Sequence, residues 1–139
     1  MNYKIIGKYI KDLRFEIPNP KTFFLLEKNI SNYRINIDIK SEQFKDKIIE
    51  VETTLALTPN SDNFDKINTK IIFATIIEID GELTNKQALE EVILIKVPNE
   101  TYPEIRALFV LLFEKSGFKK IKIEETINFK KLYLKRTIQ

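Results

Sequence analysis

The segment from Ile105 to Phe113 constrains the fold most, because it is a helix pattern that is apolar on nearly every side. Pro103 suits the first position of a helix, and Gly117 suits the left-handed residue just past a helix end. Such a helix needs cover on more than one side. In a chain of 139 residues one sheet covers one side. The sequence therefore predicts a second subunit or a bound apolar partner on the other.

The composition excludes several classes of function. The chain contains no Cys, which excludes Cys nucleophiles and Cys-based metal sites, and no His, which removes the most common acid/base residue at neutral pH and the most common metal ligand. Its three glycines form no phosphate-binding loop. We therefore expect no enzyme, no cofactor and no metal. No apolar run is long enough to span a membrane, and no secretory signal is present, so we expect a single cytoplasmic domain over residues 1–139.

Alternating apolar and polar residues predict four strands, over residues 8–17, 33–40, 47–58 and 69–80. The fourth departs from simple alternation, because Ile72 and Ile76 add apolar side chains to its second face. A strand that is apolar on both faces is buried on both. Together with the helix, this predicts an oligomer. The expected interface residues are Ile72, Ile76, Leu108, Phe109 and Leu112.

The connections predict helices after the strands. Residues 21–32 show no clean period and indicate an irregular or briefly helical connection, while Thr84 can cap a short helix ending near Glu91. Residues 92–97 read as extended, and residues 128–133 as a short final helix. Strands followed by helices are typical of an α+β fold. We expect a four-stranded antiparallel sheet followed by a long helix and a short C-terminal helix.

Charged clusters suggest alternatives from other classes. The pairs Glu90-Glu91 and Glu124-Glu125 are interpreted as solvated surface rather than catalytic carboxylates. Residues 114–139 hold eight basic residues against three acidic ones, beside aromatic side chains. A basic RNA-binding domain is therefore an alternative, but no nucleic-acid motif accompanies the patch and we favour a solvated surface. A further alternative is a closed, cup-shaped ligand-binding domain, because such a domain has the same order of strands followed by helices.

Seven stretches, in order along the chain, resemble one known family. Residues 11–19 resemble the first-strand pattern K-D-x-S-F-E-x-P-N, and Asn128-Phe129 with Leu132-Tyr133 resembles N-F-x-x-L-Y. The family is SecB, the bacterial protein-export chaperone, and this chain resembles a divergent, basic member. The other stretches are Tyr33 to Lys40, Ile49-Glu50-Val51, Val97-Pro98-Asn99, Tyr102-Pro103 with Arg106, and Gly117-Phe118.

The resemblance implies a homotetramer, built as a dimer of dimers with the long helix at its centre. It implies an ATP-independent holdase that binds unfolded polypeptides in long apolar grooves and keeps them export-competent. The groove residues that it suggests here are Phe23, Ile35, Ile37, Ile39, Phe129, Leu132 and Tyr133.

The family docks onto the export motor SecA through an acidic face of its sheet. Asp12 and Glu16 match two of the acidic positions, whereas Lys70 falls where a third is expected. The chain carries a net charge of +3 and ends at Gln139 without the acidic tail frequent in the family. Because charge complementarity mainly sets specificity and encounter rate, a different receptor is an alternative. A specialised chaperone for one client, such as an antitoxin, is one such case.

Overall fold

The structure is a computed structural model that describes residues 1–61, 64, 67–118, 121 and 123–138. A four-stranded antiparallel sheet, in the order β1-β4-β3-β2, forms one layer, and helices cover one of its faces. This confirms the predicted α+β fold. The strands are β1 (Asn2–Glu16), β2 (Tyr33–Lys45), β3 (Ile48–Pro59) and β4 (Asn68–Asp80). The helices are α1 (Pro20–Asn29), α2 (Lys86–Glu91), α3 (Val97–Lys115) and α4 (Phe129–Ile138), with a 3-10 turn at Ile30–Asn32 and a π-helix at Val92–Lys96.

The two faces of the sheet differ in composition. The face toward the helices, called the inner face below, holds fully buried residues such as Val51, Leu55 and Ile77. The opposite, outer face carries Glu50 and Glu52 of β3, which the alternation of that strand predicts. The half-buried Ile72 and Ile76 of β4 also lie on the outer face, so they and the helices are on opposite sides of the sheet.

β1 is longer than predicted and less regular. It begins at Asn2 rather than residue 8, and its register with β4 shifts twice, between Ile5 and Gly7 and between Ile10 and Asp12. Leu13, which lies on the inner face, is 44% exposed, because an edge strand has a neighbour on one side only. Bulges of this kind twist a strand and limit further pairing along it.

α1 resolves the ambiguous segment after β1 as a helix. The Asn19 side chain accepts a hydrogen bond from the Thr22 N–H at 2.8 Å and so caps the first turn. Pro20 occupies the first turn, where its missing N–H leaves no bond unmade. The helix buries Leu26 and presents Phe24 to solvent.

The prediction of an extended segment at residues 92–97 is wrong. Residues 92–96 form a π-helix that joins α2 to α3 without a break. Val92 and Ile93 favour strands by propensity, but here both are buried, and tertiary packing overrides propensity. As a result α3 begins at Val97, and Pro103 lies inside the helix rather than at its first position.

α3 packs along the inner face and ends as predicted. Ile105, Phe109 and Phe113 are fully buried there. Gly117 has a φ of +93°, and the Phe118 N–H donates to the Phe113 carbonyl at 3.0 Å, which closes the helix end. None of the described helices is long and apolar enough to span a membrane. Lys119, Lys120 and Lys122 of the predicted basic patch lie outside the described residues.

Candidate functional site

An open groove of about 1010 Å³ lies between α1 with its 3-10 turn, the start of β2 and the chain that follows α3. More of its lining residues are apolar than charged or hydroxyl-bearing. This arrangement can bury apolar side chains of a ligand and leave its polar groups in water. The apolar lining residues are Ile30, Tyr33, Ile35, Leu57, Phe118 and Ile121, and the polar ones include Glu27, Lys28, Ser31 and Arg34.

Aromatic contacts fix one end of this groove. The rings of Phe23 and Phe118 lie 4.9 Å apart between centroids, and those of Phe23 and Phe24 lie 5.4 Å apart in an edge-to-face arrangement. A Cβ added at Gly117 would stand 3.4 Å from the Phe23 ring. Phe24 is 64% exposed, so α1 presents an aromatic side chain to solvent beside Phe23.

The inner face of β2 extends the apolar surface away from this end. Ile35 lies in the groove wall, and Ile37 and Ile39 follow on the same face of the strand. At about 3.3 Å per residue, Ile35 and Ile39 are roughly 13 Å apart. Ile39 is nearly fully buried, whereas Ile35 and Ile37 stay half-buried.

α4 carries the other predicted groove residues to a different place. Phe129 is fully buried, with its ring 5.9 Å from that of Tyr102 near the start of α3. The Tyr133 hydroxyl donates to Glu90 Oε2 at 3.0 Å, and this hydrogen bond raises the pKa of the phenol above its ordinary value. Leu132 is 43% exposed.

Two hydrogen bonds hold the chain between α3 and α4 against α3. The Tyr102 hydroxyl donates to the Glu124 carbonyl at 2.5 Å, and Arg106 Nε donates to the Ile123 carbonyl at 3.1 Å. Burial raises the pKa of Tyr102, with Arg106 acting in the opposite direction. Tyr102 is therefore a neutral donor at physiological pH.

The predicted groove residues thus fall into two groups. Ile35 lines the groove and Phe23 supports its end, whereas Phe129 is inside the core and Leu132 and Tyr133 are on α4. Along α3, Tyr102 and Lys115 are thirteen residues apart, a distance of roughly 20 Å at 1.5 Å per residue. Sequence reasoning missed Ile30, Leu57 and Phe118. Leu57 alone had a usable signal, because the alternation of β3 puts it on the same face as Val51 and Leu55.

The predicted interface residues are also divided. Phe109 is fully buried under the sheet, while Leu108 and Leu112 are half-buried on α3. Ile72 and Ile76 lie on the outer face of the sheet, so one flat contact cannot include them and α3 together.

On the predicted docking face, the negative charge of Asp12 is balanced by a neighbouring positive charge. Arg14 Nε lies 3.1 Å from Asp12 Oδ2, and Arg14 pairs across the sheet with Lys70. Glu16 is exposed beside them on the same face. Two cations therefore stand next to two carboxylates, and the face is not acidic here.

A second charge network covers the centre of the outer face. Lys11 Nζ lies 2.7 Å from Glu50 Oε1 and also contacts Glu52, and the Tyr9 hydroxyl donates to Glu50. Lys11 lowers the pKa of Glu50, and hydrogen bonds to the two carboxylates raise the pKa of Lys11. Among the described residues, no group of three or more acidic side chains could hold a metal ion.

Comparisons with known proteins relate this chain to one protein family. The family model described as "Preprotein translocase subunit SecB" matches residues 1–139. A putative protein-export protein SecB of Pelagibacter ubique is 38% identical over 135 residues, covering 97% of this chain and 96% of the relative. The protein-export protein SecB of Herminiimonas arsenicoxydans is 30% identical over 138 residues, covering 96% of this chain and 79% of the relative.

A solved structure shares the fold. It is a SecB-like chaperone of Mycobacterium tuberculosis in complex with a peptide from an antitoxin, with a TM-score of 0.53 and 12% sequence identity. The match covers 88% of each chain. At this identity the likeness concerns the fold alone.

Proposed function

This chain belongs to the SecB family of protein-export chaperones, and from that premise we propose that it is an ATP-independent holdase for unfolded polypeptides. The observation that carries the proposal is the open apolar groove between α1 and β2. The protein acts in the cytoplasm on unfolded preproteins, keeps them export-competent and catalyses no reaction.

The groove supports binding that reads apolar surface rather than a particular shape. Each aliphatic or aromatic client side chain that it removes from water contributes roughly 1.5–3 kcal/mol before the cost of ordering is subtracted. A single site of this kind is weak. Several copies on one oligomer act on the same unfolded chain and raise the overall affinity.

Exposed apolar residues on β1 and α3 support the proposed tetramer. Ile10 and Leu13 face the helix side of the sheet and remain exposed, as does Leu111 of α3. Together with the half-buried Leu108 and Leu112, they form one apolar surface that a second subunit would cover. We propose this surface, rather than Phe109 or the outer-face residues, as the first subunit contact.

The second candidate is a chaperone for a single client. The ion pair between Asp12 and Arg14, with Lys70 beside it, supports a docking partner other than SecA. The Mycobacterium tuberculosis relative of the same fold was solved with an antitoxin peptide. A dedicated chaperone would bind one partner and give little protection to unrelated unfolded chains.

Aggregation of a chemically unfolded, unrelated client, followed by light scattering without nucleotide, separates the two. Suppression near one tetramer per client is expected for the general holdase. Phe24→Ser, beside the groove, should weaken suppression, while Phe44→Ser is the matched control, because Phe44 is 73% exposed near the end of β2, beside the turn to β3. No suppression by the unaltered protein contradicts the general holdase and favours the single-client function.

A further inference from the structure

One side of α1 is exposed and combines apolar with basic side chains. Its four residues follow the spacing i, i+3, i+4 and i+7, which places them on one stripe of the helix: Lys21, Phe24, Leu25 and Lys28. All four are exposed, Phe24 to 64% and Leu25 to 43%. This surface, called the α1 stripe below, thus presents two large apolar side chains to solvent with a lysine at either end.

The opposite side of α1 fixes the helix to the molecule. Leu26 is fully buried, and Phe23 packs against Phe118 with ring centroids 4.9 Å apart. The Asn19 side chain caps the first turn. The α1 stripe therefore lies on a helix that is already formed, and a partner does not have to order it on binding.

The lysines of the α1 stripe are not neutralised by neighbouring carboxylates. Among the ion pairs of the described residues, none includes Lys21 or Lys28. Glu27, the acidic residue of α1, is turned by about 100° from Lys28 around the helix axis and lies outside the stripe. The whole chain carries a net charge of +3. An anionic partner is therefore complementary in charge to this surface.

We propose that the α1 stripe binds the surface of an anionic lipid membrane. Phe24 and Leu25 enter the boundary between headgroups and acyl chains, as the apolar residues of interfacial helices do. The two lysines lie along the surface with their charges among the lipid phosphates. One copy of the stripe binds weakly, and several copies on one oligomer act together. The inference does not depend on the holdase function.

Other partners fit the α1 stripe less well. Two copies of the chain that met through this surface would bring their lysines together, and like charges across an interface repel. None of its residues belongs to the surface proposed above for subunit contact. An acidic polypeptide would pair with Lys21 and Lys28, but it would leave Phe24 and Leu25 without an apolar environment. A membrane provides both the charge and the apolar layer.

Tryptophan fluorescence tests the insertion of Phe24. The chain contains no tryptophan, so Phe24→Trp introduces a single reporter. The whole protein is mixed, without client or nucleotide, with vesicles of equal parts phosphatidylglycerol and phosphatidylcholine. The emission should shift to shorter wavelength as the indole ring leaves water. Phe44→Trp is the matched control and should not shift, because Phe44 is equally exposed but two acidic residues offset the two basic ones over residues 42–47.

Co-sedimentation with the same vesicles tests the lysines. The double variant Lys21→Gln/Lys28→Gln should bind at least roughly tenfold more weakly than the unaltered protein, because each lysine near an anionic surface contributes about fivefold in affinity. Lys45→Gln/Lys47→Gln lowers the net charge equally but lies at the other end of β2, roughly 40 Å along the strand. Since salt screens charges beyond about 10 Å, this control should keep its affinity.

Three outcomes would overturn the proposal. The first is that the unaltered protein does not bind the anionic vesicles, or binds vesicles of pure phosphatidylcholine equally well. The second is an equal loss of binding in the two lysine variants, which would assign binding to net charge alone. The third is sedimentation without an emission shift of Phe24→Trp, which would favour an acidic polypeptide as the partner. The aggregation assay decides separately whether the holdase function stands.

Discussion

Replacing Thr75 by valine should stabilise the protein. Thr75 lies on the inner face, fully buried, and within the described part of the chain its hydroxyl has no hydrogen-bond partner. A buried polar group without a partner costs about 1–3 kcal/mol. Valine has nearly the same shape, so the substitution opens no cavity. We expect the free energy of unfolding to rise by about 1–2 kcal/mol.

Urea denaturation at one fixed protein concentration measures this change. The midpoint should rise while the m-value stays the same, since the surface exposed on unfolding hardly changes. Thr101→Val is the matched control, because the Thr101 hydroxyl donates to the Val97 carbonyl at 3.0 Å. It should gain less stability than Thr75→Val.

A lower midpoint for Thr75→Val would refute the reasoning, because it would mean that the hydroxyl has a partner in solution. Thr53 is equally buried and also lacks a partner among the described residues. It lies on the neighbouring strand, diagonally across from Thr75. The gains of the two substitutions should therefore not be assumed to add.

Three further predictions follow from contacts elsewhere. Because Lys11 lowers the pKa of Glu50, this ion pair stabilises the fold above pH 4.5, the ordinary pKa of a glutamate side chain, and the stabilisation is lost as the pH falls below that value. Lys11→Met should reduce this loss of stability, measured by urea titrations at a series of pH values. Burial and the hydrogen bond to Glu100 raise the pKa of Tyr3 to about 12. The folded state therefore favours the neutral phenol, and the stability that Tyr3 contributes is lost between pH 10 and about 12. Tyr3→Phe should remove that loss of stability, together with the part of the phenolate absorbance that appears late in a pH titration. Gly117→Ala should lower the free energy of unfolding by roughly 1–2 kcal/mol, measured by denaturation, since its φ is positive; an unchanged stability would contradict the left-handed helix end.

The sequence predicts the strands of this fold better than its helical connections. In β3, every second residue from Ile49 to Leu57 is buried, and the alternation alone shows this. The segment Val92–Lys96 could not be predicted in this way. Its β-branched residues favour a strand, and only burial against the rest of the molecule makes it helical.

The residues of the groove are likewise only partly predictable from the sequence. The pattern of β2 indicates that Ile35 faces the helices, and the structure places it in the groove wall. The contribution of Phe118 depends on where the end of α3 meets α1, and no local pattern contains that contact. The pairing of Arg14 with Lys70, which changes the charge of the expected docking face, depends on strand register and is invisible in the linear order.

The π-helix at Val92–Lys96 also sets the angular phase between the two helices that it joins. Its wider turn takes up one more residue per hydrogen-bonded ring than an α-helix does. If the same residues formed a regular α-helix instead, α2 would be turned by about 100° relative to α3, the rotation of the one residue that the wider turn takes up. Glu90 would then point away from Tyr133, its hydrogen-bond partner on α4. The wider turn is thus what aligns α2 with the C-terminal helix.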